Sequence, residues 1–145
     1  MKKLILSLAL VVNSIILFAS EETISSVVLK SFQKEFANAQ NVSWTLGKSS
    51  YKASFELNKQ TVVAYYNFNG ELIGLTRNIS SLDLPLNLQN NLKKSFKGYW
   101  ITDLFEVSND AGTNYYITVE KADEILILES VASGPWSEYK RISKS

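Results

Sequence analysis

The chain has 145 residues, of which 46% are apolar and 20% are charged, and its formal net charge is +1. This composition is typical of a folded globular protein of one domain or two small repeats, and it excludes an intrinsically disordered chain. The chain contains neither cysteine nor histidine, which excludes disulfides and thiolate metal sites and removes the commonest general base.

The first twenty residues have the layout of a secretory signal peptide. Lys2 and Lys3 form a basic start, residues 4–18 form a mostly apolar run, and the small pair Ala19–Ser20 precedes an acidic stretch. The apolar run is shorter than the ~20 residues that a membrane-spanning helix needs, which favours cleavage over an uncleaved anchor. Since the chain has no disulfides, we expect a periplasmic or secreted bacterial protein with no membrane attachment after cleavage.

The charges of the exported part are nearly balanced. Without Lys2 and Lys3 the chain carries 13 basic and 14 acidic side chains, and no basic stripe or polybasic tail is present. The sequence therefore predicts no nucleic-acid partner and no binding to an anionic membrane surface.

The first half of the exported part predicts one helix and four strands. Apolar side chains recur at helical spacing from Ile24 to Phe36, with polar residues on the other side. Apolar and polar positions then follow strand patterns at residues 42–46, 51–57, 61–68 and 71–77. Asn69–Gly70 predicts a two-residue hairpin turn between the last two strands, because both central positions of such a turn need positive φ.

The second half repeats this order. Pro85 suits the first turn of a helix, and Leu88, Leu92 and Phe96 form its apolar stripe. Strand patterns follow at residues 101–107, 115–120, 124–131 and 136–142.

We therefore predict an α+β fold of two tandem repeats, each a helix plus a four-stranded antiparallel meander, with the helices packed on one face of the sheet. Residues 1–20 would be the signal peptide, and residues 21–80 and 81–145 the two repeats of one compact unit. Their relative orientation is left open by the sequence.

Several motifs carry a resemblance to a known family. They are Phe36-Ala-Asn-Ala-x-x-Val42-x-Trp44, Tyr51-x-x-x-Phe55, Tyr66-x-Phe68-Asn69-Gly70, Leu84-Pro85 and Phe96-Lys-Gly-Tyr99-x-Ile101. Together they resemble the PepSY-like, beta-lactamase-inhibitor-like family of small exported bacterial proteins, over about residues 24–142. The resemblance implies tandem α+β repeats, an envelope location and no catalytic residues.

A search for catalytic chemistry in the sequence finds one weak pattern. Ser31 and Lys34 match S-x-x-K, but the same spacing occurs at two further places, and the companion motifs of Ser–Lys enzymes are absent. We predict no catalytic residues, no metal site and no cofactor, so the chain is not expected to be an enzyme. A hydrolase using Ser31 and Lys34 is the weakest of three functional hypotheses, and the other two are the binding functions described below.

The strands at residues 61–68 and 124–131 are apolar on both faces. If Val62 and Ala64 face the helix, Val63 and Tyr65 lie on the opposite face, and the same reasoning places Ile125 and Ile127 there. An apolar sheet face rimmed by polar residues often marks an interface. A foreign protein, the same face of a second copy, or the C-terminal segment of this chain could each cover it.

The favoured function is an exported, non-enzymatic protein-binding module that acts as an inhibitor or modulator of an envelope enzyme. Tyr65 and Tyr116 would be amphipathic anchors, and Val63, Ile125 and Ile127 would exclude water between them. The alternative is a small periplasmic protein that binds an apolar ligand between sheet and helices or in the crevice between the two repeats.

Overall fold

The computed structural model describes residues 18–19 and 23–145. The predicted signal peptide, residues 1–20, lies outside the described residues except for the strand Phe18–Ala19, and it stays a prediction. The chain divides into two compact units, the first ending at Thr76 and the second beginning at Arg77. The division at residue 80 that the sequence pattern predicts also stays a prediction.

The described residues of the first unit hold one helix and five strands, the last of which reaches into the second unit. They are β1 (Phe18–Ala19), α1 (Ser26–Glu35), β2 (Gln40–Leu46), β3 (Tyr51–Leu57), β4 (Gln60–Tyr66) and β5 (Leu72–Asn78). The second unit adds a 3₁₀ turn (Ser81–Asp83), α2 (Leu86–Ser95), β6 (Trp100–Asn109), β7 (Gly112–Lys121), β8 (Glu124–Ser130) and β9 (Ser137–Ser143).

Helix α1 covers an aromatic core in the first unit. The helix begins where the Ser25 hydroxyl accepts a hydrogen bond from the backbone N–H of Val28, at 3.3 Å. Phe32 then packs edge-on against Phe55 and Trp44, with ring centroids 5.1 and 5.2 Å apart. Val62 and Ala64 of β4 belong to the same buried cluster, so this face of the sheet is the one under the helix.

The loop between β4 and β5 differs from the predicted two-residue turn, which is wrong. It spans residues 67–71, because the Asn67 side-chain oxygen accepts hydrogen bonds from the backbone N–H groups of Asn69 and Glu71, both at 3.0 Å. Gly70 alone of the Asn69–Gly70 pair has positive φ, at 87°. A Cβ atom at Gly70 would lie 2.5 Å from Cγ1 of Val27, so the loop approaches α1 closely.

Helix α2 has the same relation to the strands of the second unit. Leu88 is 1% exposed and joins a buried cluster with residues of β6, β7 and β8, among them Leu104, Ile117 and Leu126. The Trp136 indole N–H donates to the backbone carbonyl of Leu88 at 3.2 Å. This bond ties the segment that precedes β9 back onto the helix.

The predicted fold class is wrong. The described residues contain nine strands and two helices of ten residues each, and the strands form one antiparallel sheet in chain order. The fold is therefore mostly β, and not an α+β pair of helix-plus-meander repeats. The repeated apolar pattern predicts single helices and strands, whereas the fold class depends on which strands pair with one another in a sheet. Neither described helix has the length and apolarity to cross a membrane.

Candidate binding face on the sheet of the second unit

The two faces of β7 and β8 are distinguished by the strand alternation. Ile117 and Val119 of β7 and Leu126 and Leu128 of β8 are at most 3% exposed and lie in the cluster under α2. Because successive side chains of a strand point to opposite faces, the residues between them lie on the side away from the helix.

That outer side carries an apolar surface, which we call the outer patch. It consists of Phe105, Tyr116, Ile125, Ile127, Tyr139 and Ile142. Phe105 is the register partner of Tyr116, and Ile125 is the register partner of Ile142, so each pair shares one face.

The aromatic half of the outer patch is tightly packed. The Phe105 and Tyr116 rings are stacked, with centroids 5.3 Å apart and planes 19° apart, and Tyr139 meets Tyr116 edge-on at 6.1 Å. Tyr116 is only 5% exposed, and its hydroxyl donates to Oε1 of Glu129 at 2.7 Å. Burial, followed by that hydrogen bond, raises the pKa of Tyr116, so the phenol stays neutral and fixed.

The aliphatic half is more open to solvent. Ile125 and Ile127 are half-buried, and Ile142 is 38% exposed. Ile127 lies between Thr118 of β7 and the exposed Lys140 of β9. Apolar contact area is therefore available at the centre of the face.

One end of the outer patch carries a mixed-charge rim. Glu120 is the register partner of both Ile125 and Trp100, and its carboxylate lies 3.2 Å from the ammonium nitrogen of Lys144. The same ammonium group lies 5.2 Å from the centroid of the Trp100 ring, which is half exposed. An apolar centre with a polar rim is the arrangement found at protein interfaces.

The structure brings three of the five predicted site residues together: Tyr116, Ile125 and Ile127. Val63 and Tyr65 belong to β4 of the first unit, where their register partners are Ser54 and Lys52. Val63 is half-buried, whereas Tyr65 is 6% exposed and its side chain is hydrogen-bonded to Thr76. Neither predicted tyrosine anchor therefore projects from its sheet.

Sequence reasoning missed three members of the outer patch: Phe105, Tyr139 and Ile142. Phe105 alternates with Leu104, which would have placed it on the outer face once β6 was paired with β7. Tyr139 could not be placed by alternation, because the register of β8 and β9 shifts between Ile127 and Leu128.

A cluster of charges closes the β7–β8 turn at the end of the sheet. The Glu124 carboxylate accepts hydrogen bonds from the Tyr99 hydroxyl and from Arg141, and Lys121 lies 3.2 Å away. The hydrogen bond from Tyr99, with those from Lys121 and Arg141, lowers the pKa of Glu124 to about 2. Every member has a partner, so the cluster holds the turn rather than offering a free reactive group.

Ser31 and Lys34, the predicted catalytic alternative, lie on α1. Ser31 is half-buried beneath the β4–β5 loop, close to Gly70, and Lys34 is exposed in the last helical turn. Within residues 23–145, no group of three or more acidic side chains is arranged to hold a metal ion.

The fold and this face define a class: a small, mostly-β protein with an apolar surface on the side of the sheet away from the helix. Comparison with protein-family models and with curated proteins gives no match.

Solved structures show the same fold. A BLIP-like protein from Bacteroides fragilis has a TM-score of 0.72 and 17% identity, and a DUF2874 family protein from Bacteroides ovatus has 0.72 and 19%. A protein from Bacteroides eggerthii, designated periplasmic, has 0.71 and 14%. Each comparison covers 82–83% of this chain and 88% of the other. At these identities the similarity is one of fold. It confirms the resemblance to the beta-lactamase-inhibitor-like (BLIP-like) family that the sequence motifs indicate.

Proposed function

We propose that this chain is an exported, non-enzymatic protein-binding module of the bacterial cell envelope, and that the outer patch of its second unit is the docking surface. The observation that carries the proposal is the combination of rigid aromatic packing at Phe105, Tyr116 and Tyr139 with an aliphatic half made of the half-buried Ile125 and Ile127 and the exposed Ile142. A preorganised apolar surface loses little side-chain entropy when a partner covers it.

The size of the face suits a protein partner. Four strands at ~4.8 Å spacing and about seven residues of ~3.3 Å give a surface of roughly 440 Å². A standard interface takes about 800 Å² from each partner, so the sheet face would supply about half and the adjoining loops the rest.

Export rests on two independent supports. The first twenty residues have the layout of a signal peptide. A protein of the same fold, that from Bacteroides eggerthii, is designated periplasmic. The fold shared with a BLIP-like protein supports inhibition or modulation of an envelope enzyme as the role of this binding.

Site-specific photo-crosslinking in the native host tests the proposal. A photoreactive amino acid at Ile127, in the outer patch, is compared with one at Asn90, an exposed residue of α2. We expect a discrete adduct with an envelope protein from position 127 and none from position 90. Equal adduct patterns from both positions, or an adduct of twice the chain's own mass, would contradict docking of a foreign partner on this face.

The captured partner then allows an affinity measurement. Ile127→Glu places a charge at the centre of the interface and should weaken binding by at least about tenfold, whereas Asn90→Glu should leave it unchanged. If the partner is an enzyme, its activity measured with each variant decides between inhibition and simple binding.

A further inference from the structure

A cavity of about 200 Å³ lies within the second unit, on the side of the sheet that faces α2. Its walls come from the 3₁₀ turn, from α2, from the start of β6 with the residue before it, and from the end of β7. The apolar lining residues are Leu82, Leu92, Phe96, Ile101 and Val119, and the polar ones are Ser81, Gln89, Lys93 and Tyr99.

The cavity has a buried floor and an exposed mouth. Val119 is 2% exposed and is the register partner of Ile101, so both side chains lie on the helix side of the sheet. Ile101 is 44% exposed and Leu82 is 80% exposed. Large apolar side chains thus remain in water at the entrance, and a bound apolar group would cover them.

The walls are held in place by hydrogen bonds. The Gln89 side-chain amide donates to the backbone carbonyls of Leu82 and Leu84 at 3.2 and 2.8 Å, which fixes the connector against α2. The Tyr99 hydroxyl donates to Glu124. Gln89 and Tyr99 are therefore already engaged, and the cavity does not depend on a ligand to form.

Lys93 is the charged group of the lining. Within residues 23–145, no carboxylate lies at ion-pair distance from its ammonium nitrogen, whereas Lys121, close to Tyr99, is paired with Glu124. Lys94 belongs to the same last turn of α2 but does not line the cavity. The entrance therefore carries a positive charge without an acidic counterpart from the described chain.

We propose that this cavity binds an aliphatic carboxylate, with the chain on the Leu92–Val119 floor and the carboxylate at Lys93. An apolar cavity of about 150 Å³ holds benzene, so one of this size takes a chain of about six to eight carbon atoms. The site lies on the opposite side of the sheet from the outer patch, and its occupancy does not depend on the proposed protein-binding function.

Octanoate and octanol are the probes, titrated into the purified protein with methyl groups observed by NMR. Octanoate should shift the methyl signals of Leu92, Ile101 and Val119 in a saturable manner, with those of Ile142 on the other face unmoved. Octanol should bind more weakly. No saturable shift up to about 10 mM octanoate would overturn the proposal.

Two matched pairs of variants assign the two parts of the site. Lys93→Gln should weaken octanoate binding about three- to fivefold, as expected for an exposed ion pair, and leave octanol unchanged, whereas Lys94→Gln should alter neither. Ile101→Ser should weaken both probes, and Ile142→Ser should weaken neither. Equal affinities for octanoate and octanol, with no effect of Lys93→Gln, would overturn the assignment of a carboxylate ligand.

Discussion

Gly70 offers a sharp test of the packing between α1 and the β4–β5 loop. Its φ of 87° lies in the left-handed region, and a Cβ atom would lie 2.5 Å from Val27 Cγ1 and 3.3 Å from the Ser31 hydroxyl. Gly98 has a similar φ of 82°, but a Cβ atom there would meet nothing within 4 Å. The two glycines share the backbone demand and differ only in the space available.

The magnitudes follow from that difference. The left-handed conformation should cost about 1–2 kcal/mol when Gly98 becomes Ala. Gly70→Ala should add about 1–3 kcal/mol for overpacking against α1, giving a total of about 2–5 kcal/mol. Urea denaturation of both variants, followed by circular dichroism, measures the loss of unfolding free energy.

A double variant locates the clash. Val27 is 53% exposed, so Val27→Ala alone should change stability little. In the Gly70→Ala background it should recover part of the overpacking loss, because the atom 2.5 Å away is removed. Equal destabilisation by Gly70→Ala and Gly98→Ala, or no recovery in the double variant, would refute the close approach of loop and helix.

Three further outcomes are expected. Asn67→Ala removes the acceptor of two backbone N–H groups in the β4–β5 loop and should lower the unfolding free energy by about 1–2 kcal/mol in urea titrations; an unchanged midpoint would contradict this. Trp136→Phe removes the hydrogen bond to the Leu88 carbonyl and should lower the unfolding free energy by about 1 kcal/mol. Unaltered amide exchange in α2 would contradict a stabilising role of this bond. The hydrogen bond from Tyr99 helps lower the pKa of Glu124 to about 2 in the folded protein, below its value of about 4.3 in the unfolded chain. The ionised Glu124 carboxylate therefore stabilises the fold fully above about pH 4.3, and this stabilisation is lost as the pH falls towards 2. Glu124→Gln should therefore show a smaller fall in stability between about pH 4.5 and 2 than the wild type, and parallel curves would exclude this role.

Local periodicity predicted the position of most elements. The apolar pattern predicted from Ile24 to Phe36 correctly contained Ile24, just before α1, and Val28 and Phe32 within it, all at most 6% exposed. Val27 also fitted the helical spacing but is exposed, because it borders the β4–β5 loop at Gly70 instead of the core. The sequence gives no signal for this position, since the loop reaches the helix from more than forty residues away.

The candidate site was less predictable than the elements. Alternation assigns Ile125 and Ile127 to one face, but it cannot report how far a neighbouring ring covers a side chain. Tyr116 is buried because Phe105 stacks on it and Tyr139 closes its edge, and both contacts depend on strand register. The fold class was mispredicted for a related reason: pairing between strands is non-local, and a repeated local pattern does not determine it.

The last strand has a consequence for the behaviour of the protein at high concentration. Strand β9 carries Glu138, Lys140 and Arg141 in succession around Tyr139, and its register with β8 shifts once. A strand that is charged and irregular makes a poor template for the backbone of another chain. Fibril growth by edge-to-edge stacking is therefore disfavoured at this strand, which helps the protein stay dispersed at high concentration.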